Sequence, residues 1–216
     1  MTAVKFIFDP GQFIRCGRHS DMGRAPQRRR LETRAKLLTV AAEIIDSHGV
    51  SALRVEDVVA QAGVAKGTFF SHFGDKDGLL AVILGARVMR YIEDMEDAPA
   101  PSSPAEIAQR LAPLLDFISQ DRIIFDLLLR YSGTTGAEIE EVVTEGFLRQ
   151  IALFIRWITN MQAKGQISQN GNPELLAEGI QGFLNHVLAT GFCMEHSNTP
   201  PPSKALVPYL EQWLLK

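Results

Sequence analysis

Cysteine is almost missing from this 216-residue sequence: Cys16 and Cys193 are its only two, far apart and in no metal-ligand or redox spacing. A disulfide scaffold is excluded, and a reducing compartment, the cytoplasm, is the expected setting. Long apolar runs are missing too. Leu79 to Leu84 and Ile151 to Ile155 fall far short of the roughly 20 residues that cross a bilayer, so no membrane span is expected. Near the start, Phe6-Ile7-Phe8 is cut off by Asp9-Pro10-Gly11 before the apolar region of a signal peptide could form. Alternating strand patterns are scarce, whereas apolar residues recur by threes and fours between Gly, Pro, Asn and Ser clusters. The expected fold is all α. With 46% hydrophobic and 22% charged residues, the chain has the composition of an ordinary globular protein, not of a disordered one.

The net charge of −3 conceals a division. Met1 to Gly85 carries 12 Lys+Arg against 9 Asp+Glu, +3, and the remainder 10 against 16, −6. Basic residues gather in Arg15, Arg18, Arg24 and Arg28-Arg29-Arg30. A tract of this kind before a folded segment reads either as a nucleic-acid arm or as a solvated tail. Residues 1–27 are expected to be a flexible basic arm, 28–74 a first folded domain, and 75–216 a second.

Periodicity and stop signals place the helices. The first runs from about Arg28 to His48, with Leu31, Ala35, Leu38, Ala42 and Ile45 as its apolar stripe and Gly49 as its stop. Two short ones follow, about Val55–Ala62 and Lys66–Phe73, and a fourth opens at Asp75, whose carboxylate can cap it. Ser103-Pro104-Ala105-Glu106 combines an N-cap, a first-turn proline and a capping-box acid. Asp121–Tyr131 is short and very apolar. Thr135-Gly136-Ala137-Glu138 is a further capping box, opening a helix to about Lys164; Asn172-Pro173 opens one ending near Met194; Ala205–Leu215 is the last.

Two short helices joined by Gly63-Val64 are the plan of a helix-turn-helix, whose second helix enters the DNA major groove. Val55, Val58, Val59 and Ala62 give the first helix an apolar face, Val64 plugs the small core, and Phe69 or Phe73 anchors the second helix inward. Lys66, Gly67, Thr68, Ser71 and His72 are left outward, small or polar groups able to meet bases and phosphates. For His72, partial burial is an equally good account.

The run VEDVVAQAGVAKGTFFSHFGDKDGLL, Val55 to Leu80, resembles the TetR family of bacterial one-component transcriptional regulators at Ala60, Ala62-Gly63-Val64, Lys66-Gly67-Thr68, His72-Phe73, Lys76 and Leu79. The resemblance implies a three-helix DNA-binding domain, a linking fourth helix, and a C-terminal domain that binds an effector and dimerises through its last two long helices. It departs in three places. Phe70 stands where the family usually has Tyr, which removes a hydroxyl contact to phosphate, Ala65 where it often has a capping Ser, and Arg54 where it often has Thr. The last two changes each remove an N-cap oxygen, at a cost of about 0.5–2 kcal/mol, although Arg54 could meet a phosphate instead. The expected DNA-binding set is Arg28, Arg29, Arg30, Arg54, Lys66, Gly67, Thr68, Phe70, Ser71, His72 and Lys76, on operator DNA.

In the C-terminal part, Phe117, Phe125, Leu128, Phe154, Trp157 and Met161 are the expected lining of a cavity for a small, mainly apolar effector, with Gln181 and Asn185 among the few polar groups in reach. Leu176, Ile180, Phe183, Leu184, Val187, Leu188, Gly191, Leu210, Trp213 and Leu214 are expected to form a homodimer interface. The functional expectation is a repressor released from its operator by that effector. The alternative is a helical enzyme acting on a small apolar substrate. Against it, no phosphate-cradling glycine loop, nucleophile elbow or spaced carboxylate pair is present, and Gly133-Thr134-Thr135-Gly136 matches none of them. Cys193 and His196 lack nearby partners, so neither a metal nor a cofactor is expected.

Overall fold

The structure, a computed structural model, describes residues 24–132, 138–194 and 200–215. Among them are nine α-helices and no strand: α1 Arg24–His48, α2 Val55–Ala62, α3 Lys66–Phe73, α4 Lys76–Asp97, α5 Pro104–Ile118, α6 Arg122–Tyr131, α7 Glu138–Ala163, α8 Pro173–Cys193 and α9 Pro202–Leu214. The chain divides into two compact units, Met1–Ile83 and Leu84–Lys216, with the division inside α4.

Local chemistry accounts for most helix ends. Asp75 Oδ1 accepts from the Gly78 amide at 2.7 Å, so α4 begins one residue after its cap. Ser103 Oγ accepts from the Glu106 amide at 3.2 Å, and the Glu106 carboxylate reaches back to the Ser102 hydroxyl at 2.7 Å. Asp121 and Asn172 cap α6 and α8 in the same way, through the amides of Ile123 and Leu175.

Some boundaries differ from those expected. Helix α1 begins at Arg24, so residues 24–27 continue it rather than belong to an arm, while residues 1–23 lie outside those described. A single 3-10 turn, Val50–Ala52, precedes α2. Helix α9 starts at Pro202, three residues before Ala205, because a proline at the first helical position loses no hydrogen bond. The capping box at Thr135–Glu138 has residues 133–137 outside the described set.

In the first unit the core is built from Leu37, Leu38, Ala41 and Ala42 of α1, Val58 and Ala62 of α2, Phe69 and Phe73 of α3, and Leu79, Leu80 and Ile83 of α4, all buried. Leu31, placed on the α1 stripe by periodicity, is instead 44% exposed. In the second unit α5 packs chiefly on α9, and α8 on α7 and α9. Buried leucines, isoleucines and aromatics from all of these helices fill the space between them.

Candidate functional site

The turn between α2 and α3 rests on Gly63, whose φ of 63° is left-handed. Its amide donates to the Ala60 carbonyl and that of Val64 to the Val59 carbonyl, which closes α2 and redirects the chain into α3. Phe69 and Phe73 both point inward, their ring centroids 5.6 Å apart. Burying both leaves the opposite side of α3 to solvent. Lys66, Gly67, Phe70 and Ser71 are exposed there, and Thr68 and His72 are half-buried at its edges. Arg28, Arg29 and Arg30 on α1 and Arg54 before α2 are exposed as well, and Lys76 at the start of α4 is half-buried.

Neither α2 nor α3 has a side-chain N-cap, as Arg54 and Ala65 foretell. Glu56 and Asp57 in the first turn of α2 offset the helix dipole there. The first turn of α3 has no acid of its own, so its free amides suit a phosphate.

Two contacts in this unit were not legible in the sequence. The Glu56 carboxylate takes the Lys66 ammonium at 2.6 Å, and that hydrogen bond holds the Glu56 carboxyl below its usual range. Arg34 of α1 donates to the His72 carbonyl at 2.9 Å and lays its guanidinium 4.6 Å from the centre of the Phe73 ring, so it fastens the end of α3 to α1. Burial, with the Arg30 and Arg34 charges, pushes the His72 imidazole below its ordinary value. The neutral form of His72 is thereby favoured.

The second unit holds a partly open cavity of about 70 Å³. It is walled by Val88 of α4, Leu114 and Leu115 of α5, Phe125 and Leu128 of α6, Val143 and Phe147 of α7, and Leu184 and Leu188 of α8. Gln150, Gln181, Asn185 and Ser132 supply its polar groups. Of the six lining residues expected from sequence, Phe125 and Leu128 are on the wall. Phe117, Phe154, Trp157 and Met161 are not: they are buried in the packing between helices, Phe117 against Tyr91 and Phe154 against Trp157. An excess of aromatics does not say which of them pack on each other.

The expected dimer set divides in the same manner. Leu176, Ile180, Val187, Leu210 and Leu214 are buried within the chain itself, and Leu184 and Leu188 face the cavity. That leaves Phe183, half-buried, Trp213 at 38% exposure and Gly191, which is exposed. Tyr209, not anticipated, joins them: its ring stacks on Phe183 at 5.4 Å and its hydroxyl lies 3.2 Å from His186 Nε2.

Arg149 of α7 binds α4. Its Nε donates to the Glu96 carboxylate at 3.0 and 3.2 Å and its Nη1 lies 3.4 Å from Glu93, while Arg156 approaches Glu96 at 3.6 Å. Hydrogen bonding to Arg149 keeps the Glu96 carboxyl below its usual range.

Comparison with known proteins agrees with this geometry. Residues 37–83 match the family model of bacterial regulatory proteins, tetR family. The fatty acid metabolism regulator protein of Bacillus subtilis (strain 168) is 26% identical over 146 residues, 68% of this chain and 67% of its own. The HTH-type transcriptional repressor BepR of Brucella suis biovar 1 (strain 1330) is 24% identical over 169 residues, 73% of this chain and 81% of its own. In fold, the chain is similar to the crystal structure of the transcriptional regulator FadR from Bacillus subtilis in complex with stearoyl-CoA, with a TM-score of 0.58, 18% identity, and coverage of 83% of this chain and 96% of that one. The matched segment contains the helix-turn-helix with α3 as its outward-facing helix, and over residues 37–83 this chain is similar to the bacterial regulatory proteins of the tetR family.

Proposed function

We propose that this protein is a homodimeric, cytoplasmic repressor whose α3 lies in the major groove of operator DNA and which a small effector, bound in the cavity of the second unit, releases. Catalysis has no part in this reading. It is carried by one observation: α4 supplies Leu79, Leu80 and Ile83 to the core of the DNA-binding unit and, further along, Val88 to the cavity wall. A continuous helix shared in this way can couple the two sites.

On the DNA side, Lys66, Thr68, Ser71 and Gly67 are the base- and phosphate-facing groups of α3. Arg28, Arg29, Arg30, Arg54 and Lys76 neutralise backbone charge, and Phe70 offers an apolar contact in place of a phosphate-bound hydroxyl. On the effector side, about 70 Å³ holds only about five water molecules. A larger molecule enters by spreading the helices, and that displacement is what reaches α4. The exposed aromatic face of Phe183, Tyr209 and Trp213 on α8 and α9 fits the subunit contact.

A mobility shift on the DNA upstream of the gene, repeated across a salt series, tests the reading. Affinity should fall steeply as salt rises, and binding that ignores salt, or no binding at all, would refute it.

A further inference from the structure

We infer that the effector is an electrically neutral molecule bearing one group that both donates and accepts hydrogen bonds, such as a phenol, an alcohol or an amide, and that the side-chain amides of Gln150, Gln181 and Asn185 select it. The inference rests on the cavity being the effector site.

Gln150 is the one buried polar side chain among the described residues, 7% exposed on a helix otherwise packed with Leu, Ile, Phe and Trp. Apolar residues at both Gln150 and Gln181 would serve the fold as well, since replacing both partners of a buried hydrogen bond by apolar groups of similar shape is nearly neutral. The amides form a chain. Gln150 Nε2 donates to Gln181 Oε1 at 3.0 Å, and Gln181 Nε2 donates to Asn185 Oδ1 at 3.4 Å. Each side-chain amide has two N–H donors and a carbonyl with two lone pairs, so these two hydrogen bonds leave capacity of both kinds at the cavity wall, where all three residues lie. A hydroxyl or amide uses both kinds, while a hydrocarbon uses neither.

Charge decides against ions. No Lys, Arg, His, Asp or Glu is among the described lining residues, and a charge buried without a partner is costly. Arg149, next to Gln150 in sequence, spends its guanidinium on Glu93 and Glu96. Among the described lining residues an anionic ligand therefore meets no counter-charge.

The test is calorimetric titration of the full chain with four probes of similar shape: m-cresol, m-xylene, 3-methylbenzoate and 3-methylbenzylammonium. The wild type should bind m-cresol about tenfold more tightly than each of the others, one or two hydrogen bonds' worth. Gln181→Leu should bring m-cresol level with m-xylene. The double variant Gln150→Leu/Gln181→Leu, which leaves no lone buried partner between these two, should do the same and guards against misfolding of the single one. If either ion binds as tightly as m-cresol, or if m-cresol and m-xylene bind alike in the wild type, this inference fails and the effector cavity stands. If none of the four binds, the inference and the cavity reading fail together.

Discussion

Lys66 and Glu56 hold each other at 2.6 Å across the two helices of the helix-turn-helix, so the first residue of α3, expected to reach DNA, is paired with a carboxylate from α2. Both side chains are more than half exposed, and such a solvent-screened pair adds little to stability. On the proposed reading its larger effect is on DNA binding, where phosphate would have to displace Glu56. Glu56→Gln should raise affinity for any duplex by about three- to tenfold with little change in melting temperature. Fluorescence anisotropy on specific and scrambled duplexes reads this directly, and lower affinity would show that Glu56 positions Lys66 for DNA instead of competing for it.

The same groove geometry separates backbone from base contacts. Lys76→Ala should weaken all sequences alike and reduce the salt slope by about one unit, whereas Thr68→Ala should change which bases are preferred. Unchanged binding in both variants removes α3 and the start of α4 from the interface.

His72 makes the DNA-binding unit sensitive to acid. Its imidazole is held below the ordinary value of 6.5, so the unfolded chain takes up the proton first. Stability is flat above about that pH and declines as pH drops from 6.5 towards the lower, folded value. Melting curves between pH 8 and pH 5 should show this decline, and His72→Gln should reduce it.

Arg149 clamps α4 to α7. The Glu96 carboxyl lies below its ordinary 4.5 because of Arg149. The stability it contributes is therefore complete above about pH 4.5 and is lost as pH falls through the folded value. Arg149→Leu leaves Glu96 only the more distant Arg156 at 3.6 Å and, with Arg149 and Glu93 more than a third exposed, should cost up to about 1 kcal/mol while shrinking that acid-dependent step, both read by chemical denaturation at pH 7 and pH 4.

Trp213 lies so close over Gly179 that a Cβ added there would sit 2.6 Å from the indole nitrogen, which donates to the Leu176 carbonyl at 3.2 Å. Gly179→Ala should cost about 1–3 kcal/mol and loosen α9 from α8. The dimer is tested next to this point. Tyr209→Lys, on the exposed side of α9, should give folded monomers in sedimentation, while Val187→Glu, at a residue 3% exposed within the chain's own core, should unfold it. A wild type already monomeric at micromolar concentration rules the dimer out.

How far the sequence reaches follows from the range of each interaction. Helices α2 and α3, the Gly63 turn, and the caps at Asp75, Ser103, Asp121 and Asn172 depend on residues within about four positions of one another, and a linear pattern displays such neighbours. The resemblance from Val55 to Leu80 has the same local character. Membership of a face is different, because it is settled by what another helix brings to it. Leu184 and Leu188 repeat with Leu176 and Ile180 on α8, yet the first two line the cavity and the other two fill the core. Phe154 and Trp157 belong to each other rather than to a ligand wall. Gln150, an ordinary polar residue in the sequence of α7, acquires its role only when Gln181, 31 residues further on, is placed within hydrogen-bonding distance. Apolar burial has no direction of its own, so the pattern can say how much surface a helix must hide, while only the tertiary packing decides what hides it.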